Sequence, residues 1–153
     1  IARDYHTIYA LRDQHLAAAG MVDQQIVLGR QLMWEFARHL VIEKILVHPL
    51  YVKYAGEEMG GKLVEFDGRK HAAMRDDLIR IMELHVEPCD TQLEDMLEKV
   101  LGHLHRHNGS EEASDVPILE KMMSPQEAQE TAQALDMSKG FFQLEKYVHL
   151  FNL

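Results

Sequence analysis

Cysteine is nearly absent from this chain: Cys89 is the single example, so no internal disulfide can form. Long apolar runs are missing too, since no stretch approaches the roughly 18 consecutive apolar residues of a membrane span. Basic residues are outnumbered, 16 against 25 acidic, for a formal charge of −9 and a pI near 5.5. A surface of that sign lacks the basic patch that phosphates demand, which excludes nucleic acid and anionic membrane faces as partners. Strand signals are also lacking, because no segment shows sustained alternation of apolar and polar residues. A cytoplasmic protein is expected, although the chain opens on Ile1 rather than methionine, which leaves room for a targeting segment upstream.

What is present is helical periodicity. With 46% apolar residues in 153, the chain can bury one proper core, and a single domain is expected. Four long segments carry apolar residues at helical spacing. The first runs from about Ala2 to Ala19 and is closed by Gly20. The second runs from about Gln24 to Val47 with Asp23 as its N-cap, and Pro49 kinks or ends it. Gly60 and Gly61 open a third that reaches about Val86 before Pro88. Asp90 caps a fourth that reaches about Asp115 before Pro117. Short links predict an all-α, up-down-up-down four-helix bundle over residues 1–123. Ser124-Pro125-Gln126-Glu127 combines a capping box with proline at the first helical position, so an additional C-terminal helix and tail, residues 124–153, should pack on the outside.

The same spacing occurs twice: His39, Glu43 and Pro49 on the second helix, His107, Glu111 and Pro117 on the fourth. Those helices run parallel across the diagonal of such a bundle, so the two pairs can share one level. The stripe Leu28, Leu32, Phe36, His39, Glu43, Leu46, Leu50 puts the first pair on the core face. Leu93, Val100, Leu104, His107, Glu111 does the same for the second. On the third helix Val64, Asp67, His71, Met74, Leu78 bring a further histidine inward. Burying two carboxylates and three imidazoles in one layer costs several kcal/mol per unpaired charge, and a metal compensates most simply. Imidazole nitrogen with carboxylate oxygen suits iron, with manganese or zinc as substitutes, whereas calcium and magnesium prefer all-oxygen shells. Two diagonal carboxylates can each bridge two metals, so a dinuclear site is expected.

These residues resemble the hemerythrin-like (HHE cation-binding) domains, particularly fungal versions with a longer C-terminal helix. The resemblance covers Asp4 to about Phe141. Its most specific pieces are Trp34-Glu35-Phe36-Ala37-Arg38-His39 with Glu43 and Pro49, Asp67 through His71, and His107 with Glu111, Glu112 and Pro117. It implies two iron ions (Fe2+/Fe3+), oxo- or hydroxo-bridged, with Glu43 and Glu111 bridging, His39 on one iron, and His71 and His107 on the other. Two departures stand out. The family usually has Asp-His on helix one, where this chain reads Asp4-Tyr5-His6. On a helical wheel Tyr5 lies roughly 60° from Ile8 and His6 roughly 160°, so Tyr5 is the better-placed donor, with His6 the alternative. Phe66 stands where relatives often carry another histidine, and Asp67 could fill the gap.

Fewer nitrogen donors mean more open metal positions, which favours an oxidase or oxygenase acting on a small apolar organic substrate. The alternative is a sensor or store of oxygen, peroxide, nitric oxide or iron, with no organic substrate; catalytic residues beyond the metal donors are not read from the sequence. Other features have structural readings. His15 lies ~15 Å along the helix from Tyr5 and outside the layer. His48, His85, His103, His105 and His149 are assigned solvated or supporting roles. Met33, Met74, Met82 and Met96 are read as core fillers, and Cys89 has no role. Asn108-Gly109-Ser110 matches a glycosylation acceptor only by coincidence.

Overall fold

The structure is a computed structural model that describes residues 2–83 and 91–141. Helix α1 spans Ala2–Ala17 and ends in a turn at Gly20, whose φ of +84° belongs to the left-handed region that glycine enters without penalty. Helix α2 spans Val22–Ile42. Its N-cap is Met21 with no side-chain capping bond, which corrects the expectation for Asp23. That aspartate lies inside the first turn, where its charge complements the helix dipole.

Neither Pro49 nor Pro117 ends its helix. A π turn over Glu43–Val47 follows α2 and passes into α3, His48–Glu83. Likewise α4, Thr91–Ser110, passes through a π turn over Glu111–Asp115 into α5, Val116–Met122. In each copy the widened turn is closed by the same bond: the N–H of His48 donates to the Glu43 carbonyl, and that of Val116 to the Glu111 carbonyl. A proline ring collides with the carbonyl four residues back in a regular α-helix, and that carbonyl lies inside the π turn here. The two turn sequences, EKILV and EEASD, share little beyond the leading glutamate, so the proline six residues after each glutamate is the common cause.

The true break between the second and third rods is at Gly56, with φ +80° and ψ 166° inside α3. The third rod therefore starts before Gly60 and Gly61, and Gly60 has a different duty. A Cβ placed there would stand 2.3 Å from the Tyr51 carbonyl oxygen and 2.6 Å from Val52 Cα, because the chain doubles back tightly on itself. Gly61 has nothing within 4 Å. Gly60→Ala should cost about 1–3 kcal/mol in chemical denaturation, while Gly61→Ala should gain up to about 1 kcal/mol from helix propensity. Equal effects of the two substitutions would contradict the close approach.

One polar layer separates two apolar cores. Ile8, Leu32, Phe36, Leu40, Met74, Leu78, Leu97, Val100 and Leu104 pack in the larger core, and Val47, Tyr51 and Leu119 anchor the smaller. Along α1 the chain passes from Tyr5 in the layer to Ile8 in the larger core. Along α2 it runs from larger core to layer to smaller core. The second part of α3 reverses that order, and α4 with α5 restores it. That alternation is the up-down-up-down topology.

Helix α6, Pro125–Phe141, starts with the expected capping box: the Ser124 N–H donates to Glu127 Oε2 at 3.0 Å and the Glu127 N–H to Ser124 Oγ at 3.2 Å. Met74 is buried, and Met33 and Met96 pack partly buried against the larger core. Met82, expected in the core, is 52% exposed, one position past the stripe that ends at Ile81. His85, Val86, Pro88, Cys89, Asp90, His149 and the C-terminal tail lie outside the described residues. No described helix is long and apolar enough to cross a membrane.

Candidate metal centre

All four rods contribute to the polar layer. Tyr5 comes from α1, His39 and Glu43 from α2 and its π turn, Asp67 and His71 from α3, His107 and Glu111 from α4 and its π turn. Each is at least 93% buried. Helical spacing explains the pairs, because residues four apart point the same way.

Glu43 is at the centre. Its Oε2 lies 3.0 Å from His71 Nε2 and 3.4 Å from His107 Nε2, and its Oε1 lies 3.3 Å from both His39 Nε2 and the Tyr5 hydroxyl. The two facing imidazole nitrogens, His71 Nε2 and His107 Nε2, are 3.1 Å apart. Tyr5 donates its O–H to Glu111 Oε2 at 2.5 Å. Asp67 Oδ2 is 3.2 Å from His71 Nε2, and Asp67 Oδ1 is 3.3 Å from His107 Nδ1. One donor atom each from Glu43, Asp67, His71 and His107 falls within a common 4.8 Å.

Electrostatics separates the two glutamates. Burial pushes the Glu43 carboxyl up, but His39, His107 and His71 around it hold it well below the usual carboxylate range. Burial and the Glu43 charge push Glu111 up, against the hydrogen bond from Tyr5. Burial also pushes His39 down to about 4, although Glu43 pulls the other way. For His107 burial works downward too, but the hydrogen bond and charge of Glu43 raise it on balance. The Tyr5 phenol is driven up by burial and by both glutamates, so in the metal-free layer it keeps its proton.

This donor set fits a metal. His39 Nδ1 and Nε2, Asp67 Oδ1 and His107 Nδ1 are buried with no hydrogen-bond partner. The 3.3 Å approaches of His39 Nε2 to Glu43 and of His107 Nδ1 to Asp67 are ion-pair distances without hydrogen-bond geometry. Folded proteins seldom leave such atoms unsatisfied, and lone pairs converging in a dry layer are what a cation would satisfy.

Of the sequence-based candidates, His39, Glu43, His71, His107 and Glu111 all meet in the layer, together with Tyr5 and Asp67. His6 does not: it is exposed, as the wheel places it, and helix one presents Tyr5 instead. Phe66 is half exposed, with the Lys70 ammonium 4.3 Å above its ring, so that position faces away from the layer and removes no donor from it. Of the two roles left open for His48, the structure takes the supporting one, and Tyr51 is a residue the sequence reading did not single out. His48 is buried with Nε2 2.6 Å from Asp67 Oδ2, and the Tyr51 hydroxyl donates to Glu111 Oε1 at 3.4 Å. The signal for Tyr51 was its place two turns after Glu43 on the core face. His15 is bonded to the Gln25 carbonyl at 3.1 Å, away from the layer. Asn108 is buried and its amide donates to the Tyr9 hydroxyl at 3.0 Å, so its side chain is not presented for a glycan. A groove of about 590 Å³ runs over the outside of α1 and α2, lined by His6, Thr7, Gln31, Trp34 and Glu35 among others, and no residue of the layer lines it.

A helical bundle closed around imidazoles and carboxylates defines a metal-binding bundle. In sequence, the chain is 30% identical over 128 residues to an uncharacterized hemerythrin-like protein of Schizosaccharomyces pombe, an alignment covering 84% of this chain and 62% of the yeast protein. Fold and sequence agree, and the chain belongs to the hemerythrin-like family. It spans less than two thirds of the length of that relative. No family model matches the chain. No solved structure matches it either.

Proposed function

We propose that the layer holds two iron ions and that the protein reacts with dioxygen or a small oxygen-derived ligand. The observation that carries this reading is the convergence of imidazole nitrogens and carboxylate oxygens from three of the four rods, several of them unsatisfied, on one buried volume. Glu43, with one oxygen towards His39 and the other towards His71 and His107, would bridge the two ions, and Glu111, 3.8 Å from His107 Nε2, would be the second bridge. His39 would serve one ion, His71 and His107 the other, with Asp67 and Tyr5 as additional oxygen donors. Bound iron supplies a redox centre with affinity for diatomic ligands. The chain itself supplies exclusion of water, through the burial of every donor, and a proton held on Tyr5 against Glu111.

Enclosure on all sides favours a ligand of diatomic size, as in a sensor or store, over an organic molecule. An oxidase or oxygenase is the second reading, favoured by Tyr5 in place of a histidine, which leaves one nitrogen donor fewer. The test is metal analysis with anaerobic reduction and readmission of oxygen, followed in the ultraviolet and visible range. About two irons per chain and a spectral change reversed by removing oxygen are expected. Sustained oxygen consumption with a reductant would support the oxidase instead. A chain that retains no metal after reconstitution with ferrous iron would overturn both.

A further inference from the structure

The two copies of the His-Glu-Pro pattern differ at the residue before proline, which is His48 in the first and Val116 in the second. Val116 is partly exposed, whereas His48 is 7% exposed and turned inward, its ring stacked on that of His71 with centroids 5.6 Å apart and planes 28° apart. Its Nε2 lies 2.6 Å from Asp67 Oδ2, one of the shortest polar contacts in the bundle interior. Asp67 Oδ2 also lies 3.2 Å from His71 Nε2, and Asp67 Oδ1, which has no hydrogen-bond partner, lies 3.3 Å from His107 Nδ1. An ionised carboxylate only accepts, so the nitrogen facing it carries the proton and donates.

From this we infer that His48 is a positioning residue for the metal centre: it holds Oδ2 of Asp67 and thereby fixes the carboxylate of Asp67 with Oδ2 beside His71 and Oδ1 beside His107, where a metal would meet it. The inference rests on the two-metal reading above and adds an asymmetry to it. An aspartate side chain turns freely about its last bond, and a donor fixed on Oδ2 selects the one orientation in which the two oxygens meet His71 and His107. The π turn makes this reachable, because it brings His48 onto the core face directly after Glu43–Val47. No equivalent exists on the second copy, where valine has nothing to donate. One metal position therefore gains an oriented oxygen that its neighbour lacks.

Two substitutions of similar volume separate donation from packing. His48→Gln keeps an N–H donor near the place of Nε2, and His48→Met fills the same space without one. Cobalt(II) is titrated into the full chain against a competing chelator, and its visible ligand-field spectrum is recorded for each protein, with thermal unfolding of the metal-free forms alongside. The expected result is a 10–100-fold loss of affinity at one of two positions in His48→Met, with an altered cobalt spectrum. His48→Gln should keep near wild-type affinity and spectrum. Wild-type affinity and spectrum in His48→Met would overturn the assignment, as would equal losses in both variants. A His48→Met chain that does not fold while His48→Gln does would also overturn it, by making His48 a folding residue. Failure of the wild-type chain to take up cobalt or iron would instead sink the two-metal reading, and this assignment with it.

Discussion

Glu43→Gln should abolish tight metal binding while leaving a folded, helical protein. Glu43 is the one side chain within 3.4 Å of Tyr5, His39, His71 and His107 together, and the carboxylate that its surroundings hold in the charged form. Glutamine has nearly the same shape, so packing is preserved, but the central negative charge is lost and one coordinating oxygen becomes an amide nitrogen. The effect should exceed the roughly 10–100-fold that outer-shell changes cost, because the lost charge faces both metal positions at once. Stability offers an independent readout. At free metal 100 times its dissociation constant, each occupied site adds about 2.7 kcal/mol to the wild-type protein. Two sites should then raise Tm by roughly 10–20 °C in a domain of this size. That metal-dependent increment should vanish in Glu43→Gln. An increment that survives the substitution would mean that the metal sits elsewhere.

The layer was legible in the sequence because its chemistry is periodic. His39 with Glu43, and His107 with Glu111, are four residues apart on apolar stripes, and nothing but an inward-facing polar layer accounts for two such pairs at equal distance from a proline. Tyr5 over His6 followed from the same wheel. Backbone irregularity was not legible. Prolines at 49 and 117 read as kinks or ends, because a helix interior normally rejects them. That the chain would instead widen by one residue ahead of each depends on both flanking segments having apolar faces to bury, a tertiary reason that a window of sequence does not contain. For His48 the choice between a solvated and a supporting role was hidden by a related cause: counted along a regular helix from Glu43 it falls off the stripe, and only the π turn rotates it inward. Gly60 looked like a helix opener, as paired glycines do, whereas its role is to let two backbones touch. Phe66 was misjudged because a family position was read without the geometry that turns it outward.

Leu32→Ala should be among the most damaging single changes to the fold while leaving the metal layer intact. Leu32 is 1% exposed and is surrounded by the larger core. Truncating a fully buried leucine removes its transfer free energy and leaves a cavity, for about 2–5 kcal/mol, a large share of the roughly 5–15 kcal/mol that holds a typical domain together. In a chain of this length that lowers Tm by roughly 4–20 °C. Yet Leu32 is eleven residues before Glu43, about 16 Å along the helix axis, with Phe36 and His39 between. Perturbations so far apart and without shared partners add to within about 0.5 kcal/mol. The metal-dependent rise in Tm should therefore be the same in Leu32→Ala as in wild type, and the double variant with Glu43→Gln should show the sum of the two losses. Thermal unfolding of the four proteins with and without ferrous iron under anaerobic conditions measures both quantities. A metal increment that shrinks in Leu32→Ala would show that the larger core fixes the spacing of the donors, and that the site is set by the packing of the whole bundle and not by the polar layer alone.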